Sequence, residues 1–187
     1  MAVLDFQSEA LVRLRTRVAA LGEANSDLLA YARGHAGAVQ QIHAAALAAL
    51  DARDFEHLIH VVTQDWVDIL RIDAVGLGLT TSGQGIRASA SGVQFVDPEQ
   101  VELWCHLLPV GQARSVKHGS PVFGPAAELI RSEALIALRP TPPAPSGIIA
   151  LGSRAPHNFG DYHGSELLAF LGDVVSRMIA RWMQIEP

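Results

Sequence analysis

The sequence predicts an α+β fold, with helices at both ends and a mostly antiparallel sheet between them. Three patterns carry this. Apolar residues recur at three- and four-residue spacing from Leu4 to Leu70, alternate with period two between Ala74 and Ser91, and return to helical spacing from about His163 to Gln184. Helices first, then short strands joined by turns, then a closing helix, is not the strand–helix alternation of a doubly wound sheet.

The first stretch, residues 4–50, keeps one heptad register. Leu4, Leu11, Val18, Asn25, Ala32, Val39 and Ala46 fill its first position, and Gln7, Leu14, Leu21, Leu28, His35, Ile42 and Ala49 its fourth. A sustained period of 3.5 favours left-handed helix pairing, and a single asparagine at a core position fixes register and two-strandedness. The expectation is a coiled-coil-like dimerisation arm over residues 1–50 and one domain over 51–187. Leu11, Leu14, Val18, Leu21, Asn25 and Leu28 would form the homodimer interface. Gly22, Gly34 and Gly37 weaken the rod by about 1 kcal/mol each. The competing reading is that this helix packs along its own domain.

A second helix carries Phe55, Leu58, Ile59, Val62, Trp66, Ile69 and Leu70 on one stripe, with Asp51 or Asp54 available as its cap. Ala74–Thr80 reads as a strand, residues 81–85 as a turn, and Ile86–Ser91 as the antiparallel partner. Asp97-Pro98-Glu99 opens a helix through Leu108, with proline in the first turn, where its missing N–H costs nothing. Gly111 to Pro125 is loop-like with room for a short strand. Glu133–Leu138 and Gly147–Ser153 are further strands, separated by the proline-rich residues 139–146. The last helix has Leu167, Leu168, Phe170, Leu171, Val174, Val175, Met178 and Trp182 on its apolar face.

Composition bounds the function. Of 187 residues 49% are hydrophobic, enough for a full core, and only 18% are charged. A net charge of −5 is the wrong sign for a general nucleic-acid binder, and Arg13, Arg15 and Arg17 read as a solvated helix face. One cysteine, Cys105, gives neither an internal disulfide nor paired thiols for zinc, which fits a reducing cytoplasm. The N-terminus lacks the pattern of a secretory signal, and no apolar run approaches the roughly 20 residues that span a bilayer, so no membrane partner is expected.

The helix containing Leu50-Asp-Ala-Arg-Asp-Phe-Glu-His-Leu58 ahead of the first strand resembles the opening of a GAF domain. Further on, Arg131–Leu138, Gly147–Arg154, Pro156-His-Asn-Phe159 and Leu167-Leu-Ala-Phe-Leu171 resemble the bacterial family labelled domain of unknown function 484. The resemblance covers residues 20–185. It implies a GAF-like antiparallel sheet with the N- and C-terminal helices on one face, preceded by a long helix, and it implies no activity. The Asn-Lys-Phe-Asp-Glu signature of cyclic-nucleotide-binding GAF domains is not placed in this chain. Cys105 does not match the cysteine of bilin-binding relatives, and one cysteine is too few for the GAF-fold methionine sulfoxide reductases.

Alternation puts Val75, Leu77 and Leu79 toward a helix layer and Gly76, Gly78, Arg87 and Ser89 on the other face. In a GAF fold that second face is the cleft floor. Arg87 is its candidate anion anchor, because a guanidinium fork binds carboxylate or phosphate, and Trp104 and Cys105 are placed on the roofing helix. Against this stands the reading of Arg87 as a solvated edge residue and of the glycines as packing devices. Cys105 beside His106 is the candidate for a reactive thiolate, weighed against a small core cysteine. Gly76-Leu-Gly-Leu-Thr-Thr-Ser-Gly83 leads into a strand instead of a helix, so it is not a phosphate loop. His57 and His60, three apart, lack a further ligand, so no metal and no cofactor is expected. The expected function is a non-enzymatic regulatory, sensor or scaffold module that dimerises through its helices, binds a small molecule in the cleft and engages a protein partner. The alternatives are a redox or hydrolytic enzyme using Cys105 and His106, and a structural interaction protein whose cleft is filled.

Overall fold

In the computed structural model the described residues are 16, 17, 20–23, 25, 26, 34, 36–81, 83–111, 113–139, 146–156, 158, 159 and 165–183. The chain divides into two compact units, Met1–Val39 and Gln40–Pro187. In the first, the described residues are helical, and Leu21 and Asn25 are exposed. Leu11, Leu14, Val18 and Leu28 lie outside the described residues.

In the second unit, residues 40–50 are helical and form α1. Its Ile42, Ala46 and Ala49 are buried in this unit's own core, with Ala45 beside them. The heptad rows in this segment are therefore used inside the unit, and the unit starts at Gln40, before the arm's expected end at Leu50. Helix α2, Phe55–His60, is capped by Asp54, whose Oδ1 accepts from the His57 N–H at 2.7 Å. It runs into a π turn, Val61–Asp65, and then α3, Trp66–Leu70, which ends on Arg71 in the left-handed region at φ 54°. The wider π turn buries Val61, Val62 and Thr63 in succession, and the Thr63 hydroxyl is satisfied by the Ile59 carbonyl at 2.8 Å. Trp66 follows, fully buried, with its Nε1 donating to the Ala45 carbonyl at 3.0 Å.

The strands β1 (Ala74–Thr81), β2 (Gln84–Ser89), β3 (Gly92–Val96), β4 (Ala113–Ser115), β5 (Ser132–Leu138) and β6 (Gly147–Ser153) form one antiparallel sheet in the order β3-β2-β1-β6-β5-β4. β3 is an element the sequence reading left out. β2 pairs with β1 so that Leu77 faces Ala88 and Leu79 faces Ile86. That register sends Val75, Leu77, Leu79, Ile86, Ala88, Ile136, Ile149 and Leu151 to one face, as alternation requires. There α1, α2, the π turn, α3 and the final helix α5, Ser165–Met183, cover them.

The second face carries Ala74, Leu135, Ile148 and Ala150. Helix α4, Pro98–Leu107, lies over it, opened by Asp97, whose Oδ1 accepts from the Glu99 N–H at 2.9 Å. Beside it a 3-10 segment, Pro121–Leu129, presses Val122 and Phe123 onto the sheet. The approach is close enough that a Cβ at Gly76 would lie 2.6 Å from the Val122 carbonyl oxygen. Gly76→Ala is therefore expected to push this segment off β1 at a cost of about 1–3 kcal/mol, as overpacking does, and thermal denaturation followed by circular dichroism reads the loss.

Candidate functional site: the second face of the sheet

The residues expected to floor and roof a cleft are brought together. Gly78 lies opposite Arg87 and Gly76 opposite Ser89 across the β1–β2 ladder. Trp104, almost fully buried, packs so closely over Gly78 that a Cβ there would sit 3.2 Å from its ring. Val122 and Phe123, both buried, fill the space above Gly76 and Gly152. The face is thus occupied by the protein's own side chains along β1 and β6.

Arg87 stands at the rim, half-buried. Its guanidinium donates to Gln94 Oε1 of β3 and lies flat against Gly124. Gly124 has φ 59° and ψ −130°, a conformation that side chains do not tolerate, and a Cβ there would lie 3.0 Å from Arg87 Cζ. The glycine thus kinks the 3-10 segment and makes the seat for the arginine. Ser89 is half-buried; its hydroxyl accepts from the Ser91 N–H at 3.3 Å, and its carbonyl accepts from Gln64 Nε2 at 3.5 Å.

Cys105 is half-buried next to Trp104 and packs against the second-face core. Burial, and then the neighbouring Glu102 carboxylate, push its thiol above the usual cysteine value. Both act against the thiolate, the form a nucleophile needs. His106 is exposed, with Nδ1 2.8 Å from the Glu102 carbonyl on its own helix. His57 Nδ1 accepts from the Arg53 N–H at 3.1 Å, and His60 Nε2 lies 3.7 Å from Asp65.

A charge pair with a buried acid was not foreseen. Glu133 of β5 is fully buried, directly across the ladder from Arg114 of β4. Its Oε1 accepts from Arg114 Nη2 at 2.6 Å and Nε at 3.0 Å, while Oε2 accepts from the Ser120 N–H at 2.7 Å. The carboxylate therefore ties β4, β5 and the start of the 3-10 segment together. No local signal marks it, because the partners lie in separate stretches of chain and a glutamate at the head of an apolar strand reads as a solvated end.

One family model, "Protein of unknown function, DUF484", matches residues 1–184 of the chain. The chain belongs to the DUF484 family. No curated protein matches this DUF484 chain. Among solved structures it is similar to the GAF domain of an Acinetobacter phosphoenolpyruvate-protein phosphotransferase. That likeness has 14% identity and a TM-score of 0.52, covering 79% of this chain and 95% of that one. It is similar also to the chromophore-binding domain of the R. palustris bacteriophytochrome RpBphP3, with 12% identity and a TM-score of 0.50, covering 78% of this chain and 62% of that one. At these identities the DUF484 chain shares the GAF-like fold with them.

Two outcomes are expected. Glu133→Gln leaves Arg114, whose side chain is partly solvated, facing a neutral acceptor, and should cost about 1–3 kcal/mol, the loss of charge-assisted hydrogen bonds. At about 2–4 °C per kcal/mol for a chain of this size, the melting temperature should fall by roughly 2–12 °C. Alkylation of Cys105 in the folded protein should rise at a higher pH than in the urea-unfolded chain; a lower midpoint would contradict the raised thiol.

Proposed function

We propose that this DUF484 protein is a non-enzymatic regulatory module, cytoplasmic and dimeric, whose GAF-like unit holds its cleft closed with its own side chains. The observation that carries this is the second face of the sheet. Trp104, Val122 and Phe123 fill the place where catalytic machinery or a bulky cofactor would sit, and the one thiol nearby is pushed toward its protonated form. Arg87 at the rim supports recognition of a small anion, a carboxylate or phosphate, reached by lifting the Pro121–Leu129 segment that leans on it through Gly124. Such a ligand acts by favouring the lifted arrangement over the closed one, and only by its difference in affinity for the two.

Pairing of the arm is supported by the heptad pattern and by Leu21, an apolar residue at a fourth position that is 64% exposed on its helix. A paired arm offers the route by which a change in the GAF-like unit reaches a protein partner.

A panel of small carboxylates and phosphates, screened by thermal shift, tests the ligand reading. A binder at a hundred-fold excess over its Kd should stabilise the chain by about 2.7 kcal/mol, and Arg87→Ala should abolish the effect without unfolding the protein. A panel with no effect would leave a closed structural scaffold. The arm is tested by light scattering. At high dilution, the full chain should have the mass of a dimer, and Leu21→Asp should reduce it to that of a monomer.

A further inference from the structure

We propose that β3 is a contact surface for a second copy of this chain, with Gly92–Val96 of two molecules pairing antiparallel about a two-fold axis so that their sheets join. The inference is independent of the arm and of any ligand.

β3 ends the sheet, so one flank of its backbone has no ladder partner among the described residues. The opposite edge is managed: β4 is three residues long, carries the charged Arg114 and is tied down by the Ser115 hydroxyl on the Pro156 carbonyl and by Glu133. β3 has none of these devices. Gly92-Val-Gln-Phe-Val96 contains no charge and no proline, and an uncharged, unbroken edge is a template for another strand. Its side chains add to this. Val93 and Phe95 lie opposite Ala88 and Ile86, whose side chains are buried in the helix-covered core. Beyond that cover the same face continues as exposed apolar surface, Val93 at 53% and Phe95 at 77%, and Phe95 is the most exposed large apolar residue described.

The strand is self-complementary, which selects a second copy over an unrelated extended peptide. Centred on Gln94, an antiparallel two-fold pairing sets Val93 of each molecule against Phe95 of the other, an aromatic–β-branched pair of the kind that stabilises sheets. The two Gln94 amides meet on the opposite face, each already held by its own Arg87. At the ends Asp97 falls opposite Ser91, a hydroxyl donor, so that no like charges oppose one another. A contact in which the same patch serves both molecules is the isologous arrangement that closes as a dimer. The strand alone offers less than the roughly 800 Å² per partner of a standard interface, so the association is expected to be weak and concentration-dependent.

The test uses the full chain with Cys105→Ser. Molecules carrying Val93→Cys are mixed with molecules carrying Phe95→Cys under mild oxidation. The mixed disulfide should exceed its random-collision ratio to the two homodisulfides by about ten-fold, since only the 93–95 pair comes within bonding reach in this register. A random ratio overturns the proposal. Phe95→Lys, at an exposed position that leaves the fold's melting temperature unchanged, should weaken the concentration-dependent association seen in sedimentation by about ten-fold or more. An unchanged association overturns the proposal as well. Repeating the mixing with Leu21→Asp in both molecules separates this contact from the arm: a persisting bias confirms that β3 pairs by itself, and its disappearance overturns the inference.

Discussion

The contact on which this architecture turns is the approach of the Val122 carbonyl to the backbone of Gly76. Nothing larger than a glycine fits there, and because it fits, the 3-10 segment can lie directly on the central strand and put Val122 and Phe123 into the face that α4 leaves uncovered. The inner strands β1, β5 and β6 are thereby buried on both sides, by five helical elements on one face and by α4 with this segment on the other. A side chain at that one position would hold the segment away from β1, open a void beside Trp104 and lose dispersion contacts along the whole face.

Much of this was legible in the sequence because it rests on local periodicity. The alternation of Val75, Leu77 and Leu79 with Gly76 and Gly78 gave both faces of β1 correctly, the Asp97-Pro98 pair marked the start of α4, and Gly147–Ser153 emerged with its observed limits. What was missed is non-local. β3 is only five residues long, its alternation spans only Val93, Gln94 and Phe95, and its register against β2 is what defines it. The heptad of residues 39–50 is a true pattern with two physical solutions, and Ile42, Ala46 and Ala49 took the one inside the unit. For the candidate site, the sequence brought Gly76, Gly78, Arg87, Ser89 and Trp104 onto one face, but it could not say what else would come to lie there. Val122 and Phe123 arrive from a stretch read as loop, and their place is decided by shape, which periodicity does not encode.

The charge distribution of the site follows from the same packing. Arg87 stays at the rim, where water reaches it and Gly124 gives its flat side a seat. Glu133 is drawn fully inside, and its burial is compensated by two arginine hydrogen bonds and one backbone N–H. A polar group at the mouth and a satisfied ion pair below leave the middle of the face apolar, a division common to clefts that discriminate ligands and to cores that exclude them.

Glu133 also constrains the order in which the molecule can assemble. An ionised carboxylate cannot be withdrawn from water ahead of its partners without a penalty of several kcal/mol, and these partners come from two other segments, β4 and the residue heading the 3-10 turn. A half-built version, with β5 in place but Arg114 or Ser120 still outside, would carry that penalty unrelieved. The edge strand, the inner strand and the covering segment therefore gain stability only as a set. This makes the β4–β5 margin and its cover a single cooperative block, one that sharpens the transition between folded and unfolded chains and leaves little room for a partly closed intermediate.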